Sequence, residues 1–281
     1  MTQPMKILIT GARGMLGTDL TAVFTKALGG KAVVSLGSAE LDITNVAKVH
    51  SVIAEVKPTV VVNAAAYTNV DKAETESELA LSLNALGPEL LANACSQRGA
   101  QFIHFSTDQV FDGSGSTPWR ETDTPRPLNQ YARTKLEGEK RVLSHPTSLV
   151  LRVQWLYGRQ KDRFSPLKTK ESFTPFSDQF GSPTWTLPLA EVVLTLARES
   201  VSGLFHYAYD DFASWFDVYQ FVCDEWKLPT RLIPKLTEEV KLPAERPRFS
   251  VLDNRKLLAA LGRGEMGSWR EPLSRFLHQG C

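Results

Sequence analysis

Lys6-Ile7-Leu8-Ile9-Thr10-Gly11-Ala12-Arg13-Gly14-Met15-Leu16-Gly17 stands close to the start of the 281-residue chain. A short apolar run leads into three glycines spaced three apart, and a helical pattern follows over Met15–Leu28. Glycines at such a turn let the backbone approach a pyrophosphate, which then rests on the positive N-terminus of the helix. The bland alternative is a tight strand-to-helix turn that holds nothing. A strand before the glycines and a helix after them favour the dinucleotide reading.

Working outward, short β-branched runs alternate with longer helical patterns. Strands are predicted over Lys6–Thr10, Ala32–Leu36, Thr59–Asn63, Gln101–Ser106 and Ser148–Val153. Helices are predicted near Met15–Leu28, Asn45–Val56, Ser77–Arg98 and Asn129–Leu143. Val60-Val61-Val62 is apolar at consecutive positions, as in a strand covered on both faces. The expectation is an α/β fold, a doubly wound parallel (Rossmann) sheet spanning residues 1–157. Beyond about Gly158, prolines and tryptophans thicken, and 158–281 is expected to form a smaller C-terminal lobe for substrate. Within it, 187–207 carries one more helix and strand and is expected to return to the sheet. A lobe at the C-terminal edges of the strands would close over a ligand there.

Composition narrows the function classes. Lys plus Arg number 32 against 31 Asp plus Glu, so the basic excess of a nucleic-acid binder is missing. Cys95, Cys223 and Cys281 lie far apart without a C-x-x-C pair, which fits neither a disulfide framework nor zinc. The run Ile7–Ile9 is too short for a signal segment, and no stretch of about 18 apolar residues could span a bilayer. The expectations are a cytoplasmic protein, with no metal and no membrane partner.

Tyr131 and Lys135 are four apart on a predicted helix and share one face. A free tyrosine titrates near pH ~10. A neighbouring ammonium and a positive nicotinamide ring are expected to favour the phenolate and lower that value. The pair alone could be a surface helix. It gains meaning from Thr107, at the end of the strand Phe105-Ser106-Thr107-Asp108, whose hydroxyl faces the same crevice and is placed to bond a reacting oxygen. The second strand ends Ser35-Leu36-Gly37-Ser38 without a carboxylate for a ribose 2′-hydroxyl. Arg13 could instead pair with a 2′-phosphate, so NADPH is favoured, with NADH open.

The G-x-x-G-x-x-G spacing resembles the extended short-chain dehydrogenase/reductase superfamily. Closer still, Gly11–Gly17, Leu41–Asn45, Asn63–Glu74, Ser106–Gly113, Pro127–Glu139, Arg152–Gly158, Asp178–Thr184 and Arg246-Pro247 resemble the dTDP-4-dehydrorhamnose reductase family. The likeness runs in order along nearly the whole chain. It implies reduction of the C4 ketone of dTDP-4-dehydro-L-rhamnose by NAD(P)H, for cell-surface polysaccharide. By that resemblance Gly11, Arg13, Gly14, Met15, Leu16 and Gly17 would hold the pyrophosphate, and Asp42 and Ile43 would border the adenine. Ala64, Ala65 and Ala66 would meet the ribose and nicotinamide. Thr107, Tyr131 and Lys135 would be catalytic, the last two also touching the cofactor, while Asp108, Gln109 and Trp155 would meet the sugar. Three departures fall on the sugar side: Gln109 replaces the family's tyrosine, Gln154 adds a second amide, and Arg159–Ser177 is shortened around Pro166. They point to a related nucleotide 4-ketosugar or a looser pocket. A different class also stays open, a non-catalytic dinucleotide-binding regulator resembling the methionine adenosyltransferase β subunit; so does a homodimer.

Overall fold

The structure, a computed structural model, describes residues 4–279. Six parallel strands form the central sheet: β1 Ile7–Thr10, β2 Val33–Leu36, β3 Val60–Asn63, β4 Gln101–Thr107, β5 Ser148–Val153 and β6 Gly203–His206. Their spatial order is β6-β5-β4-β3-β1-β2. The order reverses direction beside β1, which is where a doubly wound sheet opens a crevice at its C-terminal edge.

The consecutive apolar residues of these strands divide between two cores. Ile7, Ile9, Val60, Val62, Ile103 and Phe105 pack beneath α1 (Met15–Leu28) and α6 (Thr186–Arg198). Leu8, Val61, Phe102 and Val150 pack beneath α2 (Val46–Val56), α4 (Gly87–Ser96) and α5 (Gln130–Leu143). Side chains alternate across a strand, so a strand covered on both faces must be apolar at every position.

The predicted helix over 77–98 is broken. It runs as α3 (Ser77–Leu81), a π turn over Ser82–Leu86, and then α4. The π turn carries Asn84, fully buried, whose Oδ1 accepts from Tyr67 N (2.9 Å) and whose Nδ2 donates to Thr134 Oγ1 (3.1 Å). Such bulges insert where a side chain must turn off the helical face, and apolar periodicity does not reveal them. Gly138 of α5 admits the close crossing, since a Cβ there would lie 2.1 Å from the Asn84 carbonyl oxygen.

Beyond β5, apart from α6 and β6, the chain forms α7 (Trp215–Trp226), α8 (Arg255–Leu261) and α9 (Arg270–His278), joined by two-residue strands. Pro166 sits in the first turn of a short 3₁₀ helix, Ser165–Thr169, where its missing N–H costs nothing. Cys95 and Cys223 are buried free thiols; Cys281 lies outside the described residues. Among the described residues, no helix is long and apolar enough to cross a membrane.

Candidate active site

The crevice at the strand ends holds a cleft of about 690 Å³. Its first wall is the glycine turn. Gly11 has φ +66°, and a Cβ there would come within 2.4 Å of Ala65 N; one on Gly17 would meet the Gly11 carbonyl oxygen at 2.2 Å. The turn is therefore closed upon itself and upon the Ala64-Ala65 backbone. α1 begins at Gly14 with no side-chain cap and no acidic residue in its first turn. Its free N–H groups and dipole suit a pyrophosphate.

Arg13, Gly14, Met15, Leu16, Ala64, Ala65 and Ala66 line the cleft, as do Thr107, Asp108, Gln109, Tyr131, Lys135 and Trp155. Gly11 and Gly17 shape the turn without lining it. Asp42 and Ile43 stand elsewhere. Asp42 is on the surface, its carboxylate accepting from Thr44 N and Oγ1 (2.9 and 2.7 Å), and Ile43 is buried against Gly87. The second strand does acquire a carboxylate. The turn after β2 folds back through Glu40 N and Leu41 N onto the Gly37 carbonyl. Glu40 then accepts from Gly37 N (2.6 Å) and pairs with Arg13 Nη2 (2.8 Å). Arg13 keeps 71% of its side chain exposed, so the guanidinium and a carboxylate share the region beside the strand end.

Catalytic candidates come from two elements. Asn129 caps α5, its Oδ1 accepting from Ala132 N (2.8 Å), and places Tyr131 in the first turn with Lys135 one turn on. β4 delivers Thr107 and Asp108. The Thr107 hydroxyl donates to Asp108 Oδ1 (3.0 Å) and sits close enough to the Tyr131 phenol to act on it. Ser250, far along the chain, donates to the other oxygen of Asp108.

Electrostatics here differ from the sequence expectation. Burial pushes the Tyr131 phenol up to about 12; the Thr107 hydrogen bond opposes this and the Asp108 carboxylate adds to it. The phenol is thus held protonated rather than poised as phenolate, because desolvation outweighs nearby charge. Lys135, 3% exposed, is pushed down to about 8 by burial, with Glu139 opposing. Its Nζ donates to the Phe105 carbonyl (2.6 Å). Asp108, buried, is raised to about 6 by desolvation, against its Ser250 and Thr107 hydrogen bonds.

On the opposite wall Trp155 lies in a left-handed conformation (φ +48°) and stacks on Trp215, centroids 3.9 Å apart and planes 11° apart. Gly181 packs against the same indole, and a Cβ there would approach Trp155 Cε2 to 2.5 Å. Arg163 rests over Trp215 (5.3 Å). Gln109 lines the cleft and accepts from Asn129 Nδ2 (3.1 Å). Gln154 does not line it. Val153 and Trp155 take the cleft side, so Gln154 between them turns inward, 1% exposed and without a hydrogen-bond partner. Asn63, Arg163, Trp215, Arg246 and Ser250 also line the cleft. No spacing rule assigned them roles, since each belongs to a separate segment. Among the described residues, no group of three or more His, Cys, Asp or Glu could hold a metal ion.

Comparison with known proteins bears on this geometry. The family description "RmlD substrate binding domain" matches residues 5–280. A dTDP-4-dehydrorhamnose reductase of Streptomyces griseus is 38% identical, over 95% of this chain and 91% of its own. A probable dTDP-4,6-dihydroxy-2-methyloxan-3-one 4-ketoreductase of Streptomyces antibioticus is also 38% identical, over 96% and 93%. A crystal structure of dTDP-4-dehydrorhamnose reductase from Bacillus anthracis in complex with NADP superposes with a TM-score of 0.94 at 32% identity, covering 99% and 100%. Matched from end to end in sequence and in backbone, the chain belongs to the dTDP-4-dehydrorhamnose reductase family.

Proposed function

We propose that the cleft reduces the C4 ketone of a dTDP-linked 6-deoxy-4-ketosugar, dTDP-4-dehydrorhamnose being the first candidate. NADPH is the donor, with NADH able to substitute. One observation carries this reading: Thr107, Tyr131 and Lys135 meet in a single cleft with the glycine turn and the uncapped start of α1.

The glycine turn fits a dinucleotide, because its tight closure leaves the uncapped start of α1 at Gly14 lining the cleft. When bound, the cofactor supplies the hydride. The chain supplies the rest. Tyr131, kept as a phenol by burial, donates its proton to the oxygen that becomes an alkoxide. Thr107 offers a hydroxyl to the same oxygen, and preorganised donors of this kind act strongly in a water-poor site. Lys135 holds a positive charge below the reacting centre, anchored on the Phe105 carbonyl. Glu40 beside Arg13 accounts for dual cofactor use, since a carboxylate serves a ribose 2′-hydroxyl and a guanidinium serves a 2′-phosphate. Gln109 and the Trp155–Trp215 stack set the sugar side, where related 4-ketosugars would be distinguished. The reading makes this a cytoplasmic enzyme of polysaccharide precursor synthesis.

The test is NADPH oxidation with dTDP-4-dehydrorhamnose and a panel of other nucleotide 4-ketosugars. Turnover is expected, and Tyr131→Phe should lower kcat by roughly 10²–10⁴-fold while NADPH binding is retained. Absence of turnover on every sugar, with tight NADPH binding, would instead favour a regulatory dinucleotide-binding protein.

A further inference from the structure

A line of polar side chains crosses the sheet beneath the cleft. Thr10, Asn63 and His104 are register partners on β1, β3 and β4, with exposures of 0, 1 and 0%. At the end of the line stands Lys135 of α5, its Nζ 3.4 Å from His104 Nε2.

The hydrogen bonds give this line a direction. Asn63 Oδ1 accepts from Thr10 Oγ1 (2.6 Å) and from the backbone N–H of Ala65 (3.1 Å). A backbone N–H can only donate, so it settles which end of the amide faces it. Nδ2 is therefore the atom 3.1 Å from His104 Nδ1. An amide NH₂ donates, so Nδ1 accepts and carries no proton. Burial, reinforced by the nearby Lys135 charge, keeps the imidazole neutral. Its single proton is then on Nε2, aimed at Lys135. That contact is attractive when Lys135 is an amine with a free lone pair, and it opposes two donors when Lys135 is an ammonium.

We propose that His104 is a positioning residue for Lys135: its Nε2–H, fixed by Asn63 and the Ala65 backbone, weakens the hold of the lysine nitrogen on its proton. This rests on the reading of Lys135 as part of the catalytic set. The other ionisable groups around Lys135 leave room for the effect. Glu139, one turn on along α5, favours the ammonium but is held bidentate by Arg152 of β5 (2.8 and 2.7 Å). Tyr131 lies one turn back on α5, and Asp108, the residue after β4, carries the carboxyl that acts on the Tyr131 phenol. The titration of Lys135 then sets the alkaline limb of the pH profile.

Two measurements test this. Long-range ¹H–¹⁵N correlation on the full-length protein reads the tautomer directly. His104 should show a bare Nδ1 and a protonated Nε2. His206 should show the reverse, because its Nδ1 faces the Trp119 carbonyl (3.1 Å) and its Nε2 faces Arg152 Nη1 (3.2 Å). A protonated Nδ1 on His104 overturns the proposal, whatever the activity does. In kinetics, removing the opposing N–H with His104→Phe should move the alkaline limb of kcat up by about one pH unit. A uniform loss of rate in His104→Phe with the limb in place also overturns it. Failure of the underlying catalytic reading shows separately, as undiminished turnover in Tyr131→Phe.

Discussion

Asp108 is the residue at which pH and stability are most directly tied. Burial raises its pKa to about 6 in the folded protein, above the ordinary carboxyl value. The folded state therefore holds this proton more tightly than the unfolded chain, and stability falls as pH rises from about 4 through 6. Above that range the ionised carboxylate costs on the order of 2–3 kcal/mol. Asp108→Asn keeps the acceptor for Ser250 and removes the charge, so it should raise the melting temperature at pH 7.5. At pH 4 the difference should vanish; thermal melts at the two pH values check it. Catalysis should suffer in the same variant if the Asp108 carboxylate meets the sugar. At this scale the sequence was partly legible. That Thr107, Tyr131 and Lys135 would face one cleft was legible because a helix turn and a strand end have fixed geometry. The direction of the Tyr131 shift did not, because desolvation depends on which segments close over the phenol. Glu40 was hidden for a similar reason, its place set by a turn rather than by the strand it follows.

Among the elements, α5 carries the most constraint: it presents Tyr131 and Lys135 above and crosses Asn84 closely below. The Gly138 contact leaves no space for a methyl group, since the obstacle is the backbone carbonyl of Asn84 at 2.1 Å. Gly138→Ala should destabilise by about 1–3 kcal/mol and displace the first turn of α5, lowering turnover more than cofactor affinity. Urea denaturation and steady-state kinetics together would show it. The Arg152–Glu139 pair, each side chain 2% exposed, ties α5 to β5. Removing one partner strands the other, so Glu139→Ala should cost about 3–5 kcal/mol in the same denaturation assay. The strands were legible to within a residue or two, because burial on both faces demands continuous apolar runs. The π turn at Ser82–Leu86 was not, because one extra residue in a helix leaves the composition of its faces almost unchanged.

Across the whole molecule, the cleft is completed by segments far apart in the chain. Arg246 Nη2 bonds Asp71 Oδ1 (2.8 Å), and Asn129 Nδ2 donates to the Glu245 carbonyl (2.8 Å), tying the 244–250 stretch to the sheet side. A ligand held by both sides should stabilise the fold as a unit. NADPH at ~100 times its dissociation constant should add about 2.7 kcal/mol, seen as a concentration-dependent rise in melting temperature. Such long-range closure is what sequence reading conveys least: Ser250 and Trp215 carry no local signal that they will meet Asp108 and Trp155. The Trp155–Trp215 stack has an optical consequence. Two indoles nearly parallel at 3.9 Å should couple their electronic transitions, giving a split near-ultraviolet circular dichroism band and quenched emission. The other four tryptophans have no indole partner at such range among the described residues. A sugar or base that parts the two rings would collapse the couplet and brighten the fluorescence, so the protein carries a built-in, label-free gauge of occupancy on the sugar side of its cleft.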